Sequence, residues 1–199
     1  MQLQGVHIMS QQYSQIVKKI ITELESRDPC PSLSPTEDWN SELTIRIENY
    51  SHGELFDGFA VTDSEFGDCV KSGLLLWNDA LDSSHKIVQN IGTKTGNYWH
   101  AIMHRRESDY SNAKYWFGRV GKHPIYFQLH RHAMELSQTE QLGEYTDILE
   151  SNEEWNAVQF VDWCQAAKSL DDRVKNFLEQ LQLKEIGLLI DFSCKNALI

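Results

Sequence analysis

Apolar side chains in this chain of 199 residues recur with the 3.6-residue period of an α-helix, and that period constrains the fold most strongly. The longest periodic segment is Asp63–Ile91. Its apolar stripe advances in steps of three and four residues through Leu74, Trp77, Leu81, Ser84, Val88 and Ile91. The same period runs through Ser10–Arg27, with Ser10 as the predicted N-cap. The pattern predicts an all-α fold.

Turn-forming residues divide the rest of the chain. The prolines of Asp28–Pro35 predict a loop, because proline supports neither a helix interior nor a sheet ladder. Leu43–Tyr50 alternates like a strand, but its helical neighbours favour a helix. The polar stretch Ser137–Glu154 predicts a long surface connection. Further helices are predicted at Asn97–Glu107, Tyr110–Val120, Pro124–Leu136, Trp155–Ala167, Asp171–Leu183 and Glu185–Cys194. We expect residues 1–199 to form a single helical domain, a bundle of roughly seven to eight helices.

Charge is distributed unevenly along the chain. The formal net charge is −11, which argues against binding to nucleic acid or to an anionic membrane. Residues 94–131 nevertheless carry an excess of positive charge, centred on Gly96–Pro124 (GNYWHAIMHRRESDYSNAKYWFGRVGKHP), which is also rich in aromatic residues and histidines. A cationic, aromatic insert in an acidic protein predicts a site for a small anionic or polar ligand.

The cysteines and the apolar runs indicate the compartment. Cys30, Cys69, Cys164 and Cys194 have neither paired nor zinc-module spacing, which predicts free thiols in a reducing environment. The N-terminal sequence does not read as a signal peptide, and no apolar run approaches the ~18 residues of a membrane span. We therefore expect a cytoplasmic protein.

Three residues within the cationic insert have the spacing of one helix face. His100, His104 and Glu107 stand at positions i, i+4 and i+7, so their side chains lie on one side of a helix. Two imidazoles and a carboxylate can bind a divalent metal and leave positions open for water or substrate. Without a metal, the same imidazoles suit acid–base catalysis near neutral pH.

A second polar stripe lies on the predicted Asp63–Ile91 helix. Asp82 and His85 have i, i+3 spacing on a face distinct from the apolar stripe, so both can reach one point. We expect them to face His100 and His104 and to orient them. Candidates for binding the ligand itself are the cations and polar residues of the insert: Arg105, Arg106, Asn112, Lys114, Tyr115, Arg119 and His123.

These residues also have plainer interpretations. An amphipathic helix always has a polar face, and that face is normally only solvated. The stronger HExxH metal motif is absent, and in an acidic chain each cation can pair with a nearby carboxylate. Three classes of function therefore stay open. They are an enzyme acting on a small polar or anionic metabolite such as a sugar derivative, a non-enzymatic ligand-binding protein, and an interaction module that docks an acidic partner or forms a homodimer.

The amino-acid sequence of the insert also resembles the signature of a protein family. The runs Tyr98–Glu107 (YWHAIMHRRE), Asp109–Phe117 (DYSNAKYWF) and Arg119–Pro124 (RVGKHP), together with Asp79–Gln89, resemble a signature of uncharacterised microbial proteins with no function attached. The resemblance covers roughly a quarter of the chain. It implies membership of that family and assigns no catalytic role to any residue.

Overall fold

The computed structural model describes residues 13–198, apart from the side chain of Lys168, and these residues form helices and connecting loops without a strand. The helices are α1 Gln15–Glu25, α2 Ser41–Asn49, α3 His52–Leu55, α4 Ser64–Trp77, α5 Leu81–Val88, α6 Lys94–Arg106, α7 Tyr110–Val120, α8 Tyr126–Thr139, α9 Gly143–Ser151, α10 Ala157–Ala166 and α11 Asp172–Ala197, with a 3₁₀ turn at Ala167–Ser169. The all-α prediction is confirmed. The predicted number of helices was too low, because the described residues form eleven.

The predicted Asp63–Ile91 helix is two helices. The chain turns at Asp79, whose φ of 64° lies in the left-handed region that Asp tolerates better than most residues. The Asp79 carboxylate is buried and lies 2.5 Å from both Arg27 and Arg106, and Arg106 also donates to the carbonyl of Leu76 at the end of α4. Apolar periodicity continues through this turn, so it does not reveal the break.

Three other helix boundaries differ from the prediction. The polar stretch Ser137–Glu154 contains α9, which buries Leu149 against the core. Asp171–Leu183 and Glu185–Cys194 join into the single helix α11, because no helix-breaking residue separates them. The N-cap of α1 is Ser14, whose hydroxyl accepts from the backbone N–H of Val17, whereas Ser10 lies outside the described residues.

Helix α6 runs through the middle of the bundle, and its side chains are buried from Thr95 to Arg106. It packs against α4, α5 and α7, and α11 also packs against α4. Gly73 makes this close packing possible: a Cβ there would lie 2.6 Å from the Trp99 ring and 2.9 Å from Ile190. Polar residues of α6 are therefore enclosed by neighbouring helices instead of facing solvent on a free side.

Among residues 13–198, no helix combines the length and the apolar character that a bilayer crossing needs.

Candidate functional site: a cluster of three histidines

Helices α5 and α6 bring three imidazoles together. His85 of α5 places its Nε2 3.0 Å from the Nε2 of His100 on α6. His104 lies one turn further along α6, with its ring stacked on that of His100 at a centroid distance of 4.6 Å and 5.3 Å from the His85 ring. Each residue offers a nitrogen atom that lies within 4.8 Å of the other two. The predicted juxtaposition of His85 with the α6 stripe is present in the structure.

Local sequence explains this placement. Thr93 caps α6 by accepting from the backbone N–H of Gly96, which begins the helix shortly after α5 ends. The two helices therefore pack side by side, and the i, i+4 spacing of His100 and His104 directs both rings toward α5. The turn at Asp79 sets where α5 begins.

Helix α7 covers the cluster. The Trp116 ring stacks on His100 at a centroid distance of 4.1 Å, and the Asn112 side-chain nitrogen lies 3.0 Å from His104 Nε2. As a result His100 and His104 are each only 5% exposed, whereas His85 is half-buried at the edge. The cluster is thus an enclosed site with a rim and not a flat exposed stripe.

Carboxylates lie at the His104 end of the cluster. Glu107 follows the last turn of α6, and its Oε1 is 2.5 Å from His104 Nδ1. Asp109 accepts from the backbone N–H of Asn112 and so caps α7. The ligand atoms of His104, Glu107 and Asp109 also lie within 4.8 Å of one another, and both carboxylates are exposed. His104 therefore belongs to two groups, one with His85 and His100 and the other with Glu107 and Asp109. Among the described residues His100 and Glu107 do not fall in one group, so the predicted set of His100, His104 and Glu107 is not found as a single ligand set.

Burial determines the protonation of the central imidazole. The pKa of His100 is lowered to about 4, first because burial disfavours the charged ring and then because His104 and His85 lie close by. At neutral pH the ring is uncharged and keeps a lone pair for a ligand. The 3.0 Å approach of the two Nε2 atoms has room for one shared proton, so His85 and His100 compete for it.

The spacing of His85 and His100 is near that of two imidazoles bound to one zinc ion. Zinc binds imidazole nitrogen at about 2.0–2.1 Å, so two nitrogens on a tetrahedral zinc lie ~3.4 Å apart. The observed 3.0 Å between His85 and His100 is close to that separation. The contact between Glu107 and His104 is of the kind that fixes the orientation of a metal-binding imidazole.

The two arginines of the predicted ligand-binding set lie in the core instead. Arg105 is buried 2.5 Å from Glu185, with its guanidinium 4.4 Å from the Phe160 ring centroid, and the Tyr98 hydroxyl donates to the same carboxylate. Arg106 is also buried. It forms an ion pair with Asp79 and donates hydrogen bonds to the carbonyl oxygens of Leu76 and Ser32. Both have structural partners, and we no longer assign them to the ligand.

The remaining predicted residues divide by location. Lys114 forms an ion pair with Asp162, and Tyr115 is 57% exposed on the outer side of α7. His123 is buried among Tyr98, Tyr126 and Phe192, on the other side of α6 from the cluster. Asp82 is exposed in the first turn of α5, and no contact with His85 is found in the described part of the chain.

Arg119 is the predicted cation that contacts a neighbour of the cluster. It is exposed, and its guanidinium carbon lies 5.4 Å from the centroid of the Trp116 ring that stacks on His100. Trp116 is not among the sequence-predicted site residues, although it contacts His100. The available signal was the i, i+4, i+7 spacing of Asn112, Trp116 and Arg119 on α7, which matches the α6 stripe.

A separate cleft of about 370 Å³ lies where α7 ends and α10 begins. Among the described residues its walls include Phe117, Tyr126 and Trp155, with Lys122 and Glu154 at its edge, and none of the histidines lines it. The indole N–H of Trp155 is buried without a hydrogen-bond partner in residues 13–198. The histidine cluster is therefore the stronger candidate site.

No protein-family model matches the chain, and neither a curated protein nor a solved structure matches it. The resemblance of the Tyr98–Pro124 sequence to a family signature stays a prediction.

Proposed function

We propose that this protein binds a divalent metal ion of the zinc type through His85, His100 and His104 and is an enzyme that uses this ion on a small polar or anionic metabolite. The observation that carries the proposal is the convergence of three imidazoles from two helices, with their ligand atoms within 4.8 Å of one another. The burial of His100 and His104 supports a site rather than a docking face.

The donor set also limits the metal and its chemistry. Three imidazoles suit zinc, copper, iron or nickel, whereas magnesium and calcium prefer oxygen ligands. Three protein ligands on zinc leave a fourth position for water, and the bound water then loses a proton near neutral pH. We infer that the reaction is a hydrolysis or hydration in which such a water attacks the metabolite.

The other residues have supporting roles in this proposal. Glu107 holds His104 through Nδ1, which leaves Nε2 as the metal-binding atom once Asn112 turns aside. Trp116 fixes the plane of His100 and keeps water from that side of the ring. The four free thiols support a reducing compartment, so the cytoplasm is the proposed location.

Calorimetric titration of the metal-free protein with Zn²⁺ tests the proposal. We expect one ion per chain, and at least a 10-fold loss of affinity in His85→Ala and His100→Ala. His85 is half-buried, so its replacement leaves the fold intact even if the loss of buried His100 destabilises the protein. His130→Ala is the matched control, since His130 is also half-buried and, among residues 13–198, hydrogen-bonds only to the Leu149 carbonyl.

Unchanged zinc affinity in His85→Ala and His100→Ala would contradict the metal site. If no ion binds to the unmodified protein, the proposed metal site is wrong.

A further inference from the structure

We propose that the ligand of the histidine site is a small oxyanion, a carboxylate or a phosphate, and that Arg119 binds it. This inference rests on the proposed metal site and names the class of compound that the site takes. Oxyanions bind both to divalent metal ions and to guanidinium groups, so one ligand can satisfy both partners.

Of the five cations in Gly96–Pro124, four pair with a carboxylate within residues 13–198 and Arg119 does not. Arg105 and Arg106 are buried in ion pairs with Glu185 and Asp79 and cannot reach a ligand without breaking them. Lys114 pairs with Asp162, and Lys122 pairs with Glu154 beside the separate cleft. Arg119 has no carboxylate partner within residues 13–198.

The position of Arg119 adds an independent argument. On α7, Asn112 contacts His104, Trp116 stacks on His100, and Arg119 follows one turn later on the same face. Its guanidinium lies against the Trp116 ring, and a cation over an aromatic face is held in orientation while its N–H donors stay free. The planar donor fork therefore lies against the aromatic residue that contacts the histidine cluster.

The charge of the loaded site also favours an anion. Three neutral imidazoles leave the double positive charge of the metal uncompensated, unlike a site built from thiolates or carboxylates. Glu107 and Asp109 lie at the His104 end, whereas Arg119 lies beyond Trp116, toward the other end of the stripe. An anion is thus expected on the Arg119 side, away from the carboxylates.

Cobalt substitution gives a direct test, because the visible spectrum of bound Co²⁺ responds to a new ligand. Protein loaded with one equivalent of Co²⁺ is titrated with inorganic phosphate and, separately, with acetate. We expect either anion to change the spectrum of the unmodified protein. We expect Arg119→Ala to weaken that anion binding at least 10-fold, and Arg119→Lys to lie between the two.

The matched control is Arg131→Ala, which removes an exposed arginine of α8 that is 3.8 Å from Glu135. This variant should bind the anions like the unmodified protein. Cobalt affinity should agree within 2-fold in all four proteins, because Arg119 is not a metal ligand.

The outcomes separate the two proposals. If Co²⁺ binds but Arg119→Ala responds to both anions with unchanged affinity, or if neither anion changes the spectrum, the anion role of Arg119 is wrong and the metal site stands. If the unmodified protein binds no Co²⁺, the metal site fails and the oxyanion proposal fails with it.

Discussion

The Nε2 atoms of His85 and His100 face each other at 3.0 Å across the contact between α5 and α6. In the absence of a cation, one of the two must donate a proton and the other must accept it. A metal ion placed between them would replace that shared proton and bind both lone pairs. This pair therefore links the fold, which sets the α5–α6 spacing, to the proposed chemistry.

Metal binding is expected to stabilise the fold. A ligand present at 100 times its dissociation constant adds about 2.7 kcal/mol to the free energy of unfolding when it binds only the folded state. Urea unfolding with and without Zn²⁺ should show this gain in the unmodified protein and lose most of it in His100→Ala. An equal gain in both proteins would mean that zinc binds elsewhere.

Breaking the buried pair of Arg105 and Glu185 is expected to destabilise the core strongly. Both side chains are fully buried, so Glu185→Ala leaves a guanidinium in the interior without its counter-ion. Loss of one partner of a buried pair costs about 3–5 kcal/mol, which urea unfolding can measure. The control is Glu154→Ala, whose partner Lys122 is 82% exposed, with an expected cost below about 1 kcal/mol. Similar losses in the two variants would refute this role for Glu185.

The free energy of unfolding is expected to decrease as the pH is lowered, because His123 is buried in its neutral form. Burial, and secondarily the charge of Lys94, lowers the pKa of His123 to about 4 in the folded protein, against about 6.5 in an unfolded chain. Between these values the unfolded state binds a proton that the folded state does not, so the stability present above pH 6.5 is lost progressively as the pH falls toward 4.

The variant His123→Gln tests this, since glutamine does not titrate but keeps an acceptor for the Ile125 N–H. The free energy of unfolding should depend less on pH between 6.5 and 4 in this variant, with a difference in slope of up to about 1.4 kcal/mol per pH unit. Parallel curves would show that His123 does not contribute.

The thiols are expected to differ in reactivity. All four cysteines are free, and of these Cys30 alone is half-buried while the others are buried. Burial raises the pKa of Cys30 to about 11, so its thiolate fraction at neutral pH is ~100-fold lower than that of an ordinary cysteine. A thiol reagent should label Cys30 slowly in the native protein and four groups after denaturation. Fewer than four groups in the denatured, unreduced protein would reveal a crosslink.

Parts of the site followed from local spacing. His100, His104 and Glu107 could be placed on one helix face because helical geometry links residues four and seven positions apart. The burial of Arg105 and Arg106 in ion pairs could not be predicted. Arg105 pairs with Glu185, which is far along the chain, and Arg106 pairs with Asp79, which lies in an irregular turn. The break between α4 and α5 was hidden by an apolar stripe that continues through it.

X-ray absorption at the zinc edge of the protein loaded with one equivalent of Zn²⁺ tests the central claim most directly. We predict three imidazole nitrogens at about 2.0–2.1 Å, with one further light ligand at the open position, and a loss of one imidazole in His85→Ala. A zinc ion bound by oxygen ligands alone, or one whose spectrum is the same in His85→Ala, would contradict the three-histidine site.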